Sequence, residues 1–386
     1  MFKVAAAGFC ALALSANAQE EKEQKVETLA IGATAPDFKL MGVDDKTYTL
    51  ASFEEAKYLV VIFTCNHCPD ARAARDRINN FAKAYQDKEV QVVAISGNDP
   101  QALMKWELGY SVYGDSFPEM KAVSKEHGYI FPYLYDGDEQ TASLAYGAVA
   151  TPHAFIFGPE RELLYQGNFD NGKREFGPAE KNTVRDNIDA LLAGKPVVTE
   201  TARVFGCSTK WKWKRAWAKE KRAEWDAMPV TVEELDLELA KKLAENKTDK
   251  VRVINFWSTT CGPCLAEFPD LVDAYERYQT RNFEIITIAV DPEDKTKAVQ
   301  KFLANQHLPL ATFTKDSVAK EGRKTNNYQY SGKDLDGLAD AIDADWQGPL
   351  PHTVIIAPGG KIVWRHTNQL EPIEFRRAIV KALEAK

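Results

Sequence analysis

Cysteine is scarce in this chain: six among 386 residues are too few to staple a disulfide-dense mini-protein. Long apolar runs are scarcer still, and the one that resembles a targeting segment is at the N-terminus. Basic residues are outnumbered, 49 Lys and Arg against 56 Asp and Glu, and the net charge of −7 argues against unspecific nucleic-acid binding as the main task. What is present is ordinary globular material. A hydrophobic share of 45% with 27% charged residues excludes a disordered, collagenous or coiled-coil chain. The length exceeds that of one core and predicts two or three domains.

Met1–Ala18 joins Lys3 to an apolar stretch from Val4 to Leu14 and closes on Ala16-Asn17-Ala18. A positive start, an apolar core too short to span a bilayer and a small-x-small site predict a secretory signal peptide over 1–18. Its removal takes Lys3 away and leaves a charge of −8. Cys10 leaves with it; a lipid-modified Cys10 is the rival reading, opposed by the bulky Phe9 before it. The mature protein is then exported, periplasmic if its source is a Gram-negative bacterium. Its remaining cysteines meet an oxidising compartment.

Four of those cysteines form two pairs of one spacing, Cys65-Asn66-His67-Cys68 and Cys261-Gly262-Pro263-Cys264. Each follows an apolar run of strand character, 58–64 and 251–257. Each precedes a helical pattern, carried by Ile78, Phe81 and Tyr85 in one copy and by Phe268, Leu271, Val272 and Tyr275 in the other. A second strand follows both times, at 90–95 and 283–290. The copies stay in register further on, where Thr151-Pro152-His153 matches Leu350-Pro351-His352. Cysteine to proline is 87 residues in the first copy and 90 in the second. The chain is one domain met twice: about 28–200, a basic Trp-rich connector over 201–229, and 230–386.

Both halves resemble thioredoxin-fold domains, which implies an α/β class with a central mixed sheet flanked by helices in each. The second half is similar to the TlpA/ResA-like branch of exported thiol-disulfide oxidoreductases through Asn255-Phe256-Trp257, Cys261–Cys264, Glu267-Phe268-Pro269 and the Pro351 segment. The first resembles the AhpC/TSA or redoxin branch through Ala35-Pro36-Asp37-Phe38, Phe63-Thr64-Cys65-Asn66-His67-Cys68-Pro69, Thr151-Pro152 and Gly206-Cys207-Ser208-Thr209-Lys210-Trp211. Departures are visible. Thr64 lies at neither of the usual peroxiredoxin spacings from Cys65 or Cys68, and Ala71 takes the place of Glu267 when the cysteine pairs are aligned. Thr260 replaces the tryptophan that commonly precedes the first cysteine of thioredoxins. Asn255 replaces the buried acid of thioredoxins, an exchange the TlpA/ResA-like branch often shows.

Thiol exchange requires one thiolate that attacks and a second thiol that resolves the mixed disulfide. Two intervening residues place the first sulfur at a helix start, where amides and dipole favour the thiolate. Cys65 and Cys261 are therefore expected to attack, Cys68 and Cys264 to resolve. Pro152 and Pro351 are expected to be cis and to offer the backbone edges of Thr151 and Leu350 to a substrate chain. His67 is expected to stabilise the Cys65 thiolate and raise that site's potential; Pro263 adds no such charge. Electrons would then run from Cys261/Cys264 to Cys65/Cys68. The resemblance implies that Glu267 assists proton transfer at Cys264, against the plainer reading of a solvent-facing helix glutamate. Cys207 is either a third redox thiol or a structural cysteine. His153 and His352, each next to its proline, either touch a redox site or are structural.

No metal is expected, because a zinc site would need pairs about 190 residues apart to meet, and haem attachment needs a histidine straight after the second cysteine. No cofactor beyond redox-active disulfides is implied. Between strand and proline, Lys315–Gln347 forms an insertion expected to place a helix beside the second site. The connector is read as a helix whose Trp213 and Trp217 share a face against a neighbouring domain, rather than a membrane or nucleic-acid surface. The expected function is reduction or exchange of disulfides in exported proteins, fed by an unidentified electron donor. A thiol peroxidase recycled by the second domain and a non-catalytic peptide-binding module are the alternatives.

Overall fold

The apolar runs before the two cysteine pairs become the central strands of two sheets. The computed structural model describes residues 23–174 and 177–385, so the expected signal peptide lies outside the described residues. In the first sheet, β1 (Lys39–Gly42), β2 (Thr47–Thr49), β3 (Tyr58–Phe63), β4 (Val90–Ser96), β5 (Tyr133–Tyr135), β7 (His153–Phe157) and β8 (Leu163–Gly167) run in the order β2-β1-β5-β4-β3-β7-β8. β6 (Ala150–Thr151) pairs with β9 (Cys207–Ser208) as a separate two-stranded ribbon. In the second sheet, β10 (Glu233–Glu234), β11 (Val251–Trp257), β12 (Phe283–Ala289), β13 (Asn327–Gln329), β14 (His352–Ile356) and β15 (Ile362–Thr367) run β10-β13-β12-β11-β14-β15.

The repeat is explicit in the strand order. The pattern β5-β4-β3-β7-β8 in one sheet is β13-β12-β11-β14-β15 in the other, parallel through the first three strands and antiparallel through the last two. β3 and β11 are buried along their whole length because a central parallel strand is covered on both faces. Val60, Ile62, Phe81 and Ile188 fill one face of the first sheet, Val61, Phe63, Phe155 and Tyr146 the other. β11 admits two polar residues whose buried donors are paired. Arg252 bonds Glu284 and the Leu243 carbonyl, each at 2.7 Å, and Asn255 bonds Glu267 and Thr353.

The connector departs from expectation in its tryptophans. Its helix is Arg215–Asp226, and Trp213 lies before it in a single 3-10 turn, stacked on Trp211 with ring centres 5.0 Å apart. Trp217 is exposed and meets Trp106 edge-on instead. Trp225 is the buried anchor. It packs on Tyr275 within the second core and donates its indole N–H to the His307 carbonyl. From the same helix Arg222 bonds the Gln101 and Leu103 carbonyls of the first half. The two halves also meet directly: Tyr278 Oη donates to the Ser111 carbonyl at 3.1 Å, Lys105 pairs with Glu276 at 3.0 Å, and Arg281 lies over the Tyr110 ring. No helix of the described residues is long and apolar enough to cross a membrane.

Candidate active site

In the second half, Cys261 is the N-cap of the helix Gly262–Tyr278, and its Sγ accepts from the Cys264 amide at 3.3 Å. Cys264 lies inside the first turn, fully buried, and the two sulfurs are joined as a disulfide. Cys261 is half-buried and Pro263 is exposed. The helix end favours negative charge on the sulfur that faces solvent, and the buried sulfur stands behind it. Glu267 does not face solvent: it is completely buried. Asn255 Nδ2 and the Leu370 amide donate to its two oxygens at 2.8 and 3.0 Å, and burial pushes its pKa up to about 7. The carboxyl can therefore hold or release a proton near neutral pH. Leu350–Pro351 is a cis bond. Leu350 pairs with no strand among the described residues, so its backbone edge is open. The Lys315–Gln347 insertion shapes that edge through its end. Trp346 stacks on Phe256 and His352 and donates to the Pro349 carbonyl at 2.8 Å. His352 itself bonds Asp343 and Thr367, so its ring is held in the sheet layer.

The first half differs in register. Its helix is Pro69–Tyr85, and the N-cap is Cys68. Strand pairing confirms the offset. Phe63 faces His153 and Phe256 faces His352, the residues that follow the two cis prolines. Cys68 lies five residues beyond Phe63, as Cys261 lies five beyond Phe256. Cys68 is thus the counterpart of Cys261, Cys65 that of Ser258, Ala71 that of Cys264 and Ala74 that of Glu267. The expectation that Cys65 occupies the helix start, with Ala71 opposite Glu267, is corrected by three residues.

The charge follows the helix. Hydrogen bonds from the Cys207 and Cys65 thiols hold the Cys68 thiol far below its ordinary value. Burial, then the neighbouring Cys68, push the Cys65 thiol up. Cys68 Sγ also receives the Cys207 amide at 3.3 Å and lies 3.2 Å from the Thr151 carbonyl oxygen. Cys65 Sγ is 3.2 Å from Thr151 Oγ1. Cys65, Cys68 and Cys207 stand as thiols in one cluster. Thr151–Pro152 is cis, as is its counterpart. Its edge is not open, however: Thr151 pairs with Cys207 and Ala150 with Ser208 in an antiparallel ribbon. The chain itself occupies the place expected for a substrate strand.

His67 does not bond Cys65. It is fully buried with Nδ1 2.6 Å from Asp115 Oδ2, and Nε2 has no partner among the described residues. Burial disfavours the imidazolium, but the Asp115 carboxylate outweighs it and raises the His67 pKa. Asp115 also receives the amides of Asn66 and His67 and the side chain of Asn98. That carboxylate, 47 residues beyond Cys68, is the organiser of the loop, and no local motif announces it. Cys65, His67 and Asp115 bring donor atoms within 4.8 Å of one another. The carboxylate is already committed to four hydrogen bonds, so the group reads as an ion pair rather than a cation cage. His153 is buried, bonded to Gln166, and held neutral by burial with its pKa lowered to about 4.

Comparison with known proteins matches both halves. The model of the AhpC/TSA family matches residues 31–166 and again 227–365. The thiol-disulfide oxidoreductase ResA of Bacillus subtilis (strain 168) is 28% identical over 110 residues, 28% of this chain and 49% of that protein. ResA of Halalkalibacterium halodurans is 30% identical over 114 residues, 30% of this chain and 52% of that protein. The chain spans about half the length of these curated relatives. Among solved structures, a hypothetical protein from Sinorhizobium meliloti 1021 is 34% identical with a TM-score of 0.43, covering 49% of this chain and 99% of its own. An uncharacterized conserved protein from Geobacillus kaustophilus is 34% identical with a TM-score of 0.44, covering 48% and 95%. Matched twice along its length, in halves that share one strand order, this chain belongs to the AhpC/TSA family.

Proposed function

We propose that the protein is an exported thiol-disulfide oxidoreductase that reduces or exchanges disulfides in other exported proteins. The observation that carries this reading is the second site: a half-buried sulfur at a helix N-cap, bonded to a buried sulfur, beside an unpaired cis-proline edge. In the reduced site Cys261 attacks a partner disulfide and Cys264 resolves the mixed disulfide, leaving the partner as a dithiol. Glu267 takes the Cys264 proton as that thiol becomes a nucleophile. Leu350 and Pro351 offer the edge on which an extended partner segment adds as a strand. The chemistry needs no group beyond the sulfurs, and an electron donor of dithiol type restores the pair. The relatives named as thiol-disulfide oxidoreductase ResA agree with this reading.

The first site is a second redox centre in this account, with Cys68 as its nucleophile. One contact between the second half and the segment that holds the loop around Cys65 comes from Tyr278, at the end of the Gly262–Tyr278 helix remote from Cys261. That helix is about 25 Å long at 1.5 Å per residue. We read each site as served by its own partner rather than by direct transfer from Cys261 to Cys65. A peroxidase reading of the first site is favoured by one observation, a sulfur at a helix N-cap whose neighbouring strand edge is already filled. Insulin reduction by dithiothreitol tests the main reading: acceleration by the full chain, lost in Cys261→Ser, is expected. Hydroperoxide consumption that depends on Cys68 with no insulin reduction would replace it.

A further inference from the structure

The first site has three thiols where an exchange reaction uses two, and only one of them reaches solvent. Cys65 is 5% exposed, Cys68 is wholly buried, and Cys207 is partly exposed at the end of the ribbon. Cys207 approaches Cys68 as a substrate cysteine would. It lies on an antiparallel strand against Thr151, the residue before the cis proline, and its own amide donates to Cys68 Sγ at 3.3 Å. Gly206 makes the approach possible. Its φ is +125°, and a Cβ there would lie 2.0 Å from the Thr151 carbonyl oxygen and 3.6 Å from Cys68 Sγ. The position that resolves in the second site, one turn into the helix, is Ala71 here and has no sulfur.

We infer that Gly206–Ser208 is a resident substrate mimic and that Cys207 is the thiol through which the first site exchanges electrons with its partner. The inference rests on the thiol-disulfide reading above. Starting from a Cys65–Cys68 disulfide, Cys207 attacks Cys68 Sγ. The Cys68–Cys207 bond forms, the Cys65–Cys68 bond breaks, and Cys65 leaves with the proton that Cys207 gives up. This step is an isomerisation and needs no oxidant. A partner dithiol then attacks Cys207 Sγ, expelling the Cys68 thiolate, and the partner's second thiol displaces Cys207. Two electrons enter the site and the partner leaves as a disulfide. The partner's two protons pass to Cys68 and Cys207, which stand again as thiols. The reverse sequence oxidises the site by a partner disulfide. The burial of Cys65 and Cys68 makes the relay necessary, because neither sulfur meets a macromolecule directly.

Trypsin separates the participants: Tyr58–Arg72 carries Cys65 and Cys68, and Val204–Lys210 carries Cys207. The reduced full chain is treated with oxidised glutathione, quenched in acid, alkylated and mapped by mass spectrometry. A cross-link between the two peptides is expected in the wild type. It is expected as the main product in Cys65→Ser and to be absent in Cys68→Ser. Reduction of the first site by dithiothreitol is expected to slow at least tenfold in Cys207→Ser. Peptide Tyr58–Arg72 closed on itself in the wild type, with Cys207 alkylated both there and in Cys65→Ser, would overturn the inference. So would an unchanged reduction rate in Cys207→Ser. Failure of the broader reading has a different signature, no insulin reduction by Cys261/Cys264, which leaves this peptide map as it is.

Discussion

Glu267→Gln is expected to remove a pH-dependent weakness from the oxidised protein. The carboxyl is fully buried between Asn255 Nδ2 and the Leu370 amide, and burial raises its pKa from 4.5 to about 7. A carboxyl with a higher pKa in the folded chain binds its proton more tightly there than in the unfolded chain. Its contribution is therefore fully present below pH 4.5 and is lost as pH climbs through 7. At about 1.4 kcal/mol per pH unit, the rise corresponds to about 3 kcal/mol between pH 4 and pH 8. Glutamine cannot ionise, and its carbonyl oxygen can still accept from Asn255 Nδ2. Urea unfolding of the oxidised full chain at both pH values measures the difference. At pH 4 variant and wild type should agree within about 1 kcal/mol, whereas at pH 8 the variant should be more stable by about 3 kcal/mol. With a slope of about 2 kcal/mol per molar urea, that is a midpoint shift of about 1.5 M. A variant destabilised by the same amount at both pH values would refute the reasoning, because it would show that Glu267 acts by packing and not by its charge.

Three further outcomes are expected. Asp115→Asn removes the carboxylate that faces buried His67 and should cost about 3–5 kcal/mol, read as a lowered melting temperature; an unchanged melt would contradict the pairing. Gly206→Ala places a methyl against the Thr151 carbonyl and should lift β9 from β6, so that maleimide labels Cys207 at least tenfold faster; an unchanged labelling rate would show that the ribbon tolerates it. Trp225→Ala removes the buried ring that ties the connector to Tyr275 and His307 and should cost about 3–5 kcal/mol in urea unfolding; a loss near zero would mean that the connector is not an anchor.

The repeat, the sheet class and the paired cysteines were legible because they rest on local pattern: apolar strands, helical periodicity and the placement of proline. The two cis prolines were legible for the same reason. The three-residue offset at the first site was not, since identical spacing invites alignment of Cys65 with Cys261. The available signal was Pro69. Proline favours the first helical turn, and a helix starting there makes Cys68 the cap. Asp115 was invisible, because a carboxylate that bonds a loop across 48 positions leaves no mark in either segment. The Glu267 environment required a tertiary fact, the Leu370 amide from the segment after β15. Trp213 and Trp217 share helical spacing, but the helix begins only at Arg215, so the spacing had no helix to act on.

The most direct test of the account is a trapped mixed disulfide at the second site. Cys264→Ser, reduced and mixed with insulin, should retain insulin on Cys261 through a bond that dithiothreitol releases, and the Cys261→Ser variant should retain none there. Equal retention by both variants, or none by either, would contradict the assignment of Cys261 as the sulfur that attacks.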